Sequence, residues 1–484
     1  MSIQLCVRNN YTDASTDTLE ELDKLRQLCT LTTQKYFRYR YKVSKEGREG
    51  EYKDVSFCYL HNHKFPSGWT IGIVKHLRSS GYDVSLEDFR TNPKKLKDKH
   101  KFICSDTLRP YQEEASIIGV KCQRGIFKHA TRSGKTYLAA DLFCRLNVKT
   151  LYIVPDKTLL DQTVRKLREL LGDKVVGIIG DGKKELKDLT VTTIQSMWRI
   201  VESDEVTMRF FKDLGALFID ECHHVSITKL EDPGAPNTWY SVAMHFDCRY
   251  RFGFTATPGD KDSVERRVLQ GATGSILHIK TPSELIKEGY LCAPKVKVYE
   301  FLNPTESKKW KYVHDNCILK NEKRNELIKK ITEEYVSIKE NVVIIVDRKD
   351  THGKVLHEMI PGSTYLHGGC KTSERKKAFE DFESGKVKIL IGTILSEGVN
   401  LPSMNVVILA GGGKSDKMTV QRLGRVLTKP DGKEKQATII DIYDYTLRQN
   451  GSRGNRMLDK HSKARMAKYL EEKLFEVEII KDKN

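Results

Sequence analysis

From about residue 105 onward the chain repeats one pattern: short, almost wholly apolar runs separated by spacers of helix length. The runs fall at 151–154, 190–193, 217–219 and 252–255, and again at 342–346, 364–366, 389–391, 406–409 and 438–442. Strands without a polar face cannot lie on a surface, and helix-length crossovers return each strand in the same direction. The sequence therefore predicts parallel sheets covered on both sides. Two series in one chain predict two α/β lobes in tandem.

Composition sets the boundaries. Residues 1–100 read as a small α+β accessory domain, with apolar alternation at 36–43 and 55–60 and an amphipathic run at 71–77 that stops near Gly81. The basic stretch NPKKLKDKHK at 92–101 closes that domain as a solvated linker. The first lobe is expected over 101–280, a linker and the start of the second lobe over 281–330, the second lobe over 331–445, and a basic helix over 446–484. No run approaches the roughly 18 apolar residues of a membrane span. The first residues show no basic-then-apolar leader, so the expectation is a cytoplasmic protein without a membrane partner.

The eleven cysteines form no CxxC pair, which favours reduced, mostly buried thiols over structural zinc. A formal charge of +18 calls for a polyanionic partner, although a lysine-rich solvated surface would carry the same charge. No segment points to a protein partner, and the sequence is consistent with a monomer.

Chemistry enters at GIFKHATRSGKTYLAADLF, residues 125–143. Tyr137, Leu138, Leu142 and Leu146 place a helix directly after Lys135. A Gly-Lys-Thr entering a helix N-terminus is a phosphate cradle: backbone N–H groups of Thr131, Arg132, Ser133 and Gly134 and the helix dipole meet phosphate oxygens. Lys135 would reach the β and γ oxygens of ATP, and Thr136 would bind Mg²⁺. The cradle is imperfect, with His129 in place of its first glycine. Some 85 residues later, LGALFIDECHH ends an apolar strand in two carboxylates. Asp220 suits Mg²⁺, and Glu221 suits an attacking water. Upstream, LRPYQ (108–112) offers Gln112 for adenine, with Arg109 beside the base. A second glycine run, ILAGGGKSD (408–416), mimics a phosphate loop but reads as a turn.

Taken in order, these segments resemble the motifs of superfamily 2 helicases and translocases. LRPYQ resembles the Q motif, ATRSGKT motif I, IVPDKTLLDQ (153–162) motif Ia, and VTTIQSM (191–197) the Ib/Ic region. DECH resembles motif II, FTATP (254–258) motif III, VVIIVDR (342–348) motif IV, EGVNLP (397–402) motif V, and QRLGRVL (421–427) motif VI. DECH combined with a glutamine-led motif VI is unlike DEAD-box RNA helicases. It is more similar to duplex-DNA translocases, including restriction-enzyme motors, the XPB group and phage branch-migration helicases of the UvsW type. The last similarity extends, more loosely, to FPSGWTIGIVKHLRSSGYDV (65–84).

The resemblance implies two RecA-like lobes sharing one ATP site. It makes Arg425 an arginine finger, with Gln421 and Arg422 supporting the nucleotide or motif II. The position of a frequent second finger holds Thr428, followed by Lys429, and Asn400 replaces a common aspartate. Thr255 and Thr257 would relay the γ-phosphate state between lobes. Thr192, Thr193, Gln195 and Thr393 match positions that touch the nucleic-acid strand, and Arg348 is a candidate phosphate partner. The implied activity is an ATP-dependent DNA helicase or translocase that remodels branched DNA, located in the host cytoplasm if phage-encoded. An RNA helicase, and a duplex-DNA translocase subunit of a restriction or transcription complex, stay open as alternatives.

Overall fold

The computed structural model describes residues 2–44, 47–105, 107–226, 237–303, 310–393, 401–413, 437–448, 451–454 and 456–481. It divides into two compact units: Met1–His129 with Gly134–Ile279, and Ala130–Ser133 with Lys280–Asn484.

The first unit opens with β1 (Ser2–Val7) and β2 (Tyr11–Thr16), an antiparallel pair. Ile3, Leu5 and Val7 alternate inward along β1, as a period of two requires. α1 (Leu19–Cys29) starts on a Thr18–Glu21 capping box, each side chain satisfying the other's backbone N–H. β3 (Thr30–Ser44) and β4 (Gly47–Cys58) form a separate two-stranded hairpin. β5 (Lys64–Pro66), α2 (Thr70–Ser79) and β6 (Asp83–Asp88) complete a four-stranded sheet in the order β5-β2-β1-β6.

The same unit continues through α3 (Pro110–Cys122), β7 (Arg124–His129), α4 (Lys135–Leu146), β8 (Thr150–Val154) and α5 (Lys157–Leu171). β9 (Val176–Gly180), β10 (Lys183–Glu185), β11 (Leu189–Thr193), α6 (Ile194–Ser203), β12 (Ala216–Asp220), β13 (Tyr250–Thr255) and β14 (Ile276–Lys280) follow. The sheet order is β10-β9-β11-β8-β12-β13-β7-β14, with β9 to β7 paired in parallel and β10 antiparallel.

The small sheet and the large one share a core. Ile3, Leu5, Trp69 and Ile73 belong to one apolar cluster with Leu217, Ile219, Val268 and Leu269. Arg251, 1% exposed, fastens the seam. Its Nη1 donates to Asn10 Oδ1 at 2.7 Å and to the Phe246 carbonyl at 2.8 Å, and its Nε donates to the Ala272 carbonyl at 2.8 Å. A guanidinium bound this way has its charge spread over backbone dipoles instead of a carboxylate.

The second unit holds β15 (Pro294–Leu302), β16 (Val342–Ile345), β17 (Ser363–Leu366), β18 (Ile389–Gly392), β19 (Val406–Leu409), β20 (Ala437–Tyr445) and β21 (Glu476–Ile480). All its described pairings are parallel, in the order β17-β18-β16-β19-β20-β15-β21. Two expectations shift here. Segment 281–330, read as a linker and lobe start, contributes the sheet strand β15. Segment 446–484, read as a helix, is helical over Arg456–Glu471 and then adds β21 beside β15. Charge density masked the short alternation in EVEII.

Buried ion pairs brace this unit. Arg324 donates Nε and Nη2 to the two carboxylate oxygens of Asp444 at 2.9 and 3.1 Å. Arg465 donates Nε to Asp441 Oδ2 at 2.8 Å, and Tyr469 donates its hydroxyl to the same oxygen at 2.6 Å. Among the described residues no helix is long and apolar enough to cross a membrane, and no group of three metal-ligating side chains occurs.

Candidate functional site

Parallel register sets β12, β13 and β7 side by side, with Asp220 opposite Phe254 and Thr255 opposite Lys128. Their C-terminal ends therefore meet at one sheet edge, the edge where ligands bind in open α/β sheets. β7 runs straight into the 130–134 loop, and α4 begins at Lys135 on a left-handed Gly134, φ +77°. The left-handed turn favours that glycine, and an added Cβ would displace Gln112 Nε2, 2.3 Å away. Arg132 also takes a left-handed backbone, φ +70°. For a side chain with a Cβ this costs roughly 1–2 kcal/mol, the strain typical of a functional loop. Burial lowers the pKa of its guanidinium.

Gln112 is 2% exposed and spans two segments. Its Oε1 accepts the Arg109 N–H at 2.9 Å, and its Nε2 donates to the Gly134 carbonyl at 3.4 Å. Arg109 in turn donates Nη1 to the Tyr111 hydroxyl at 3.0 Å. LRPYQ is thus physically tied to the phosphate loop. Thr131 and Thr136 are half-buried, while Ser133 is fully buried. His129, in the missing glycine's place, is enclosed and lies 2.8 Å from His278 Nδ1 through its Nε2.

The carboxylate pair sits opposite. Glu221 has a left-handed backbone, φ +43°, and its N–H donates to Asp220 Oδ1 at 3.0 Å. Burial, followed by the neighbouring Glu221 charge, pushes the Asp220 pKa up. Burial acts upward on Glu221 too, but the His223 hydrogen bond and the Lys135 charge outweigh it and hold its pKa down. The two carboxyls are thus shifted in opposite directions, Asp220 up and Glu221 down.

Sequence reasoning passed over His223. Its Nδ1 lies 3.3 Å from Glu221 Oε2 and 3.0 Å from Thr255 Oγ1. Thr255 Oγ1 also accepts the Thr257 N–H at 3.1 Å. The signal was the first histidine of DECHH, two residues beyond Glu221. Thr257 Oγ1 is enclosed without a hydrogen-bond partner among the described residues. A continuous polar chain therefore joins the acidic pair to the FTATP segment.

The nucleic-acid candidates divide. Thr192 is 0% exposed and donates to the Thr193 carbonyl, because β11 is covered on both faces. Its hydroxyl is enclosed within the sheet. Thr193 caps α6, accepting the Ser196 N–H at 3.2 Å, so its oxygen is engaged in the helix start. Gln195 and Arg348 are exposed, and Thr393 is half-buried with its N–H on the Leu366 carbonyl at 3.3 Å. Gln421, Arg422 and Arg425, with Asn400, Thr428 and Lys429, lie outside the described residues. The glycines of ILAGGGKSD answer to packing: a Cβ at Gly411 would meet the Asp347 carboxylate at 2.3 Å, and one at Gly412 would meet Ile318 at 2.5 Å.

Two family models match in this order: Type III restriction enzyme, res subunit, over residues 105–260, and Helicase conserved C-terminal domain, over residues 306–428. These two domains, in this order, indicate a superfamily 2 helicase. Its relatives include the DNA 3'-5' translocase XPB2 of Sulfurisphaera tokodaii, 29% identical over 69% of this chain and 81% of that protein. A putative ATP-dependent RNA helicase of Acanthamoeba polyphaga mimivirus is 27% identical over 82% of this helicase and 77% of its own length. The ATP-dependent DNA helicase uvsW of phage T4 is 25% identical over 69% and 68%. Among solved structures, yeast Dbp5 bound to RNA and ADP BeF3 superimposes with a TM-score of 0.53 at 17% identity, covering 77% of this chain and 89% of that one. That likeness concerns the fold, two RecA-like lobes. Helicase domains of this kind use ATP and act on nucleic acid.

Proposed function

We propose that this helicase is an ATP-driven DNA motor that remodels branched DNA, promoting branch migration of forks, Holliday junctions or R-loops. The observation that carries the ATPase reading is the convergence of Lys135, the Asp220–Glu221 pair and the Thr255–Thr257 segment on one sheet edge, joined through His223. In this reading the 130–134 loop and Lys135 hold the phosphates, Glu221 orients water, and Arg425 from the second lobe stabilises the charge developing at the γ-phosphate. Gln112 and Arg109 position the adenine end, and Gln421 and Arg422 support the site.

The residues present fit a divalent cation. Asp220, an enclosed carboxylate whose pKa burial raises, would hold Mg²⁺ with the Thr136 hydroxyl. When bound, the ion screens the phosphate oxygens and favours ionised Asp220. Residues 1–100 then serve as the accessory domain and 101–280 as the first lobe, while 281–330 and 446–484 supply β15 and β21 to the sheet of the second lobe.

DNA is favoured over RNA by the likeness to XPB2 and T4 uvsW. The mimivirus relative supports an RNA helicase as the second reading. ATP turnover with single strand, duplex, four-way junction and RNA at equal phosphate concentration separates the two. The proposal expects junction DNA to stimulate most; equal or greater stimulation by RNA refutes it.

A further inference from the structure

A cleft of about 170 Å³ lies within the first unit, where α2 of the small domain faces the helix Val264–Ala272 of the lobe. Its floor is the edge of Trp69. One wall is Gly72 and His76 of α2, and the other is Arg267, Gln270 and Ser275. No carboxylate lines it. Arg267 is spread across this seam: its guanidinium stacks over the Trp69 ring at 5.2 Å, and its Nη2 donates to the Leu28 carbonyl at 2.9 Å. The Arg267 Nε–H is enclosed and has no hydrogen-bond partner among the described residues. Trp69 Nε1 returns a bond to the Arg267 carbonyl at 2.6 Å, so the backbone of Arg267 is tied to the same indole that its guanidinium covers.

Gly72 gives the cleft its opening. A Cβ built there meets nothing within 4 Å, and the helix backbone at this position is ordinary. The same helix presents Ile71, Lys75 and Arg78 to solvent, which extends a positive, partly apolar rim away from the cleft. A preorganised guanidinium, a histidine, an amide and a hydroxyl around an aromatic floor match an anion carrying an apolar body. A sugar-phosphate unit has that chemistry, with phosphate oxygens for the cation and the sugar face for the indole.

We propose that this cleft binds a phosphodiester of the nucleic-acid strand, at the seam between small domain and first lobe and apart from the Gln195 surface. The proposal rests on the reading of the chain as a nucleic-acid motor, and it adds a contact that motif comparison does not supply. Free phosphate or a mononucleotide shares the chemistry, so the test separates them from a strand.

Gly72→Leu fills the cleft without straining the backbone, and leucine is a better helix former than glycine. His76→Gln removes the imidazole from the other wall at similar size. Binding of a fluorescent oligonucleotide duplex to the full chain is measured over a salt series, beside thermal unfolding. Both variants are expected to unfold no earlier than wild type, and Gly72→Leu to bind about 10-fold more weakly. The slope of log K against log salt should fall by about 1 in magnitude, as for one lost phosphate contact. Wild-type affinity and slope in Gly72→Leu would overturn the cleft alone. Failure of the wild-type chain to bind any oligonucleotide would overturn the underlying function. Inorganic phosphate or AMP that binds as tightly as the oligonucleotide, and loses that binding in Gly72→Leu, would overturn the strand assignment.

Discussion

His223 Nδ1 and Thr255 Oγ1 lie 3.0 Å apart, and through that contact the strand carrying FTATP touches the buried acidic pair. Removing either partner leaves a buried polar group without its mate. Thr255→Val should therefore lower ATPase kcat about 10-fold, with KM for ATP within about threefold, since one hydrogen bond to a charged network is lost. Steady-state kinetics with saturating nucleic acid checks this. A rise in KM alone would show that Thr255 serves ground-state binding.

Lys135→Ala and Glu221→Gln should each abolish ATP turnover, by at least about 100-fold, because each removes charge from the phosphate-handling edge. Nucleic-acid affinity without nucleotide should stay within about threefold of wild type. Measurable turnover near the wild-type rate in either variant contradicts the assignment of the site.

Arg324 and Asp444, 0% and 1% exposed in their side chains, form a bidentate pair that also engages Asn303. Arg324→Met strands a buried carboxylate and should cost the second unit about 3–5 kcal/mol. Arg324→Met with Asp444→Asn should recover part of that loss. Urea unfolding followed by a probe in the second unit reads both, and an unstable double variant equal to the single one would show the guanidinium matters for packing alone.

His352 is fully buried, neither ring nitrogen finds a partner among the described residues, and burial pushes its pKa from 6.5 to about 3. The folded chain then binds fewer protons than the unfolded chain below pH 6.5. The contribution of this group is fully present above that pH and declines as pH falls toward about 3, by about 1.4 kcal/mol per pH unit within the window. His352→Leu should flatten the acid limb of a stability–pH curve, and an unchanged limb would place the acid sensitivity elsewhere.

Much of the α/β pattern was legible because a strand buried on both faces has a short sequence signature. All nine apolar runs coincide with strands. The misses have physical causes. β7 escaped notice because it contains Arg124, Lys128 and His129; Arg124 Nε donates to the Thr273 carbonyl and His129 meets His278. β9 carries two glycines, and Gly177 is needed because a Cβ would lie 2.2 Å from the Glu185 carbonyl. Thr192 was named by its match to a motif position, and motif matching does not show that β11 encloses its hydroxyl. The tie between Gln112 and Gly134 links residues 22 apart, and spacing alone does not reveal it. The shared core of small domain and lobe was also invisible, since it depends on Arg251 reaching Asn10 across the sequence. Excising residues 1–100 would uncover that core, so point variants are the cleaner probe of the small domain.

β15 has a further consequence for how the protein is made. Its partner in register, β20, begins 143 positions later, with Pro294 aligned to Ala437. At about 5–20 residues per second, the ribosome takes roughly 7–30 s to deliver that partner. Through that interval an alternately apolar strand waits beside the translating ribosome with both hydrogen-bonding edges open. The sheet of the second lobe thus cannot close until β20 has been made, and expression yield should respond to chaperone supply during synthesis.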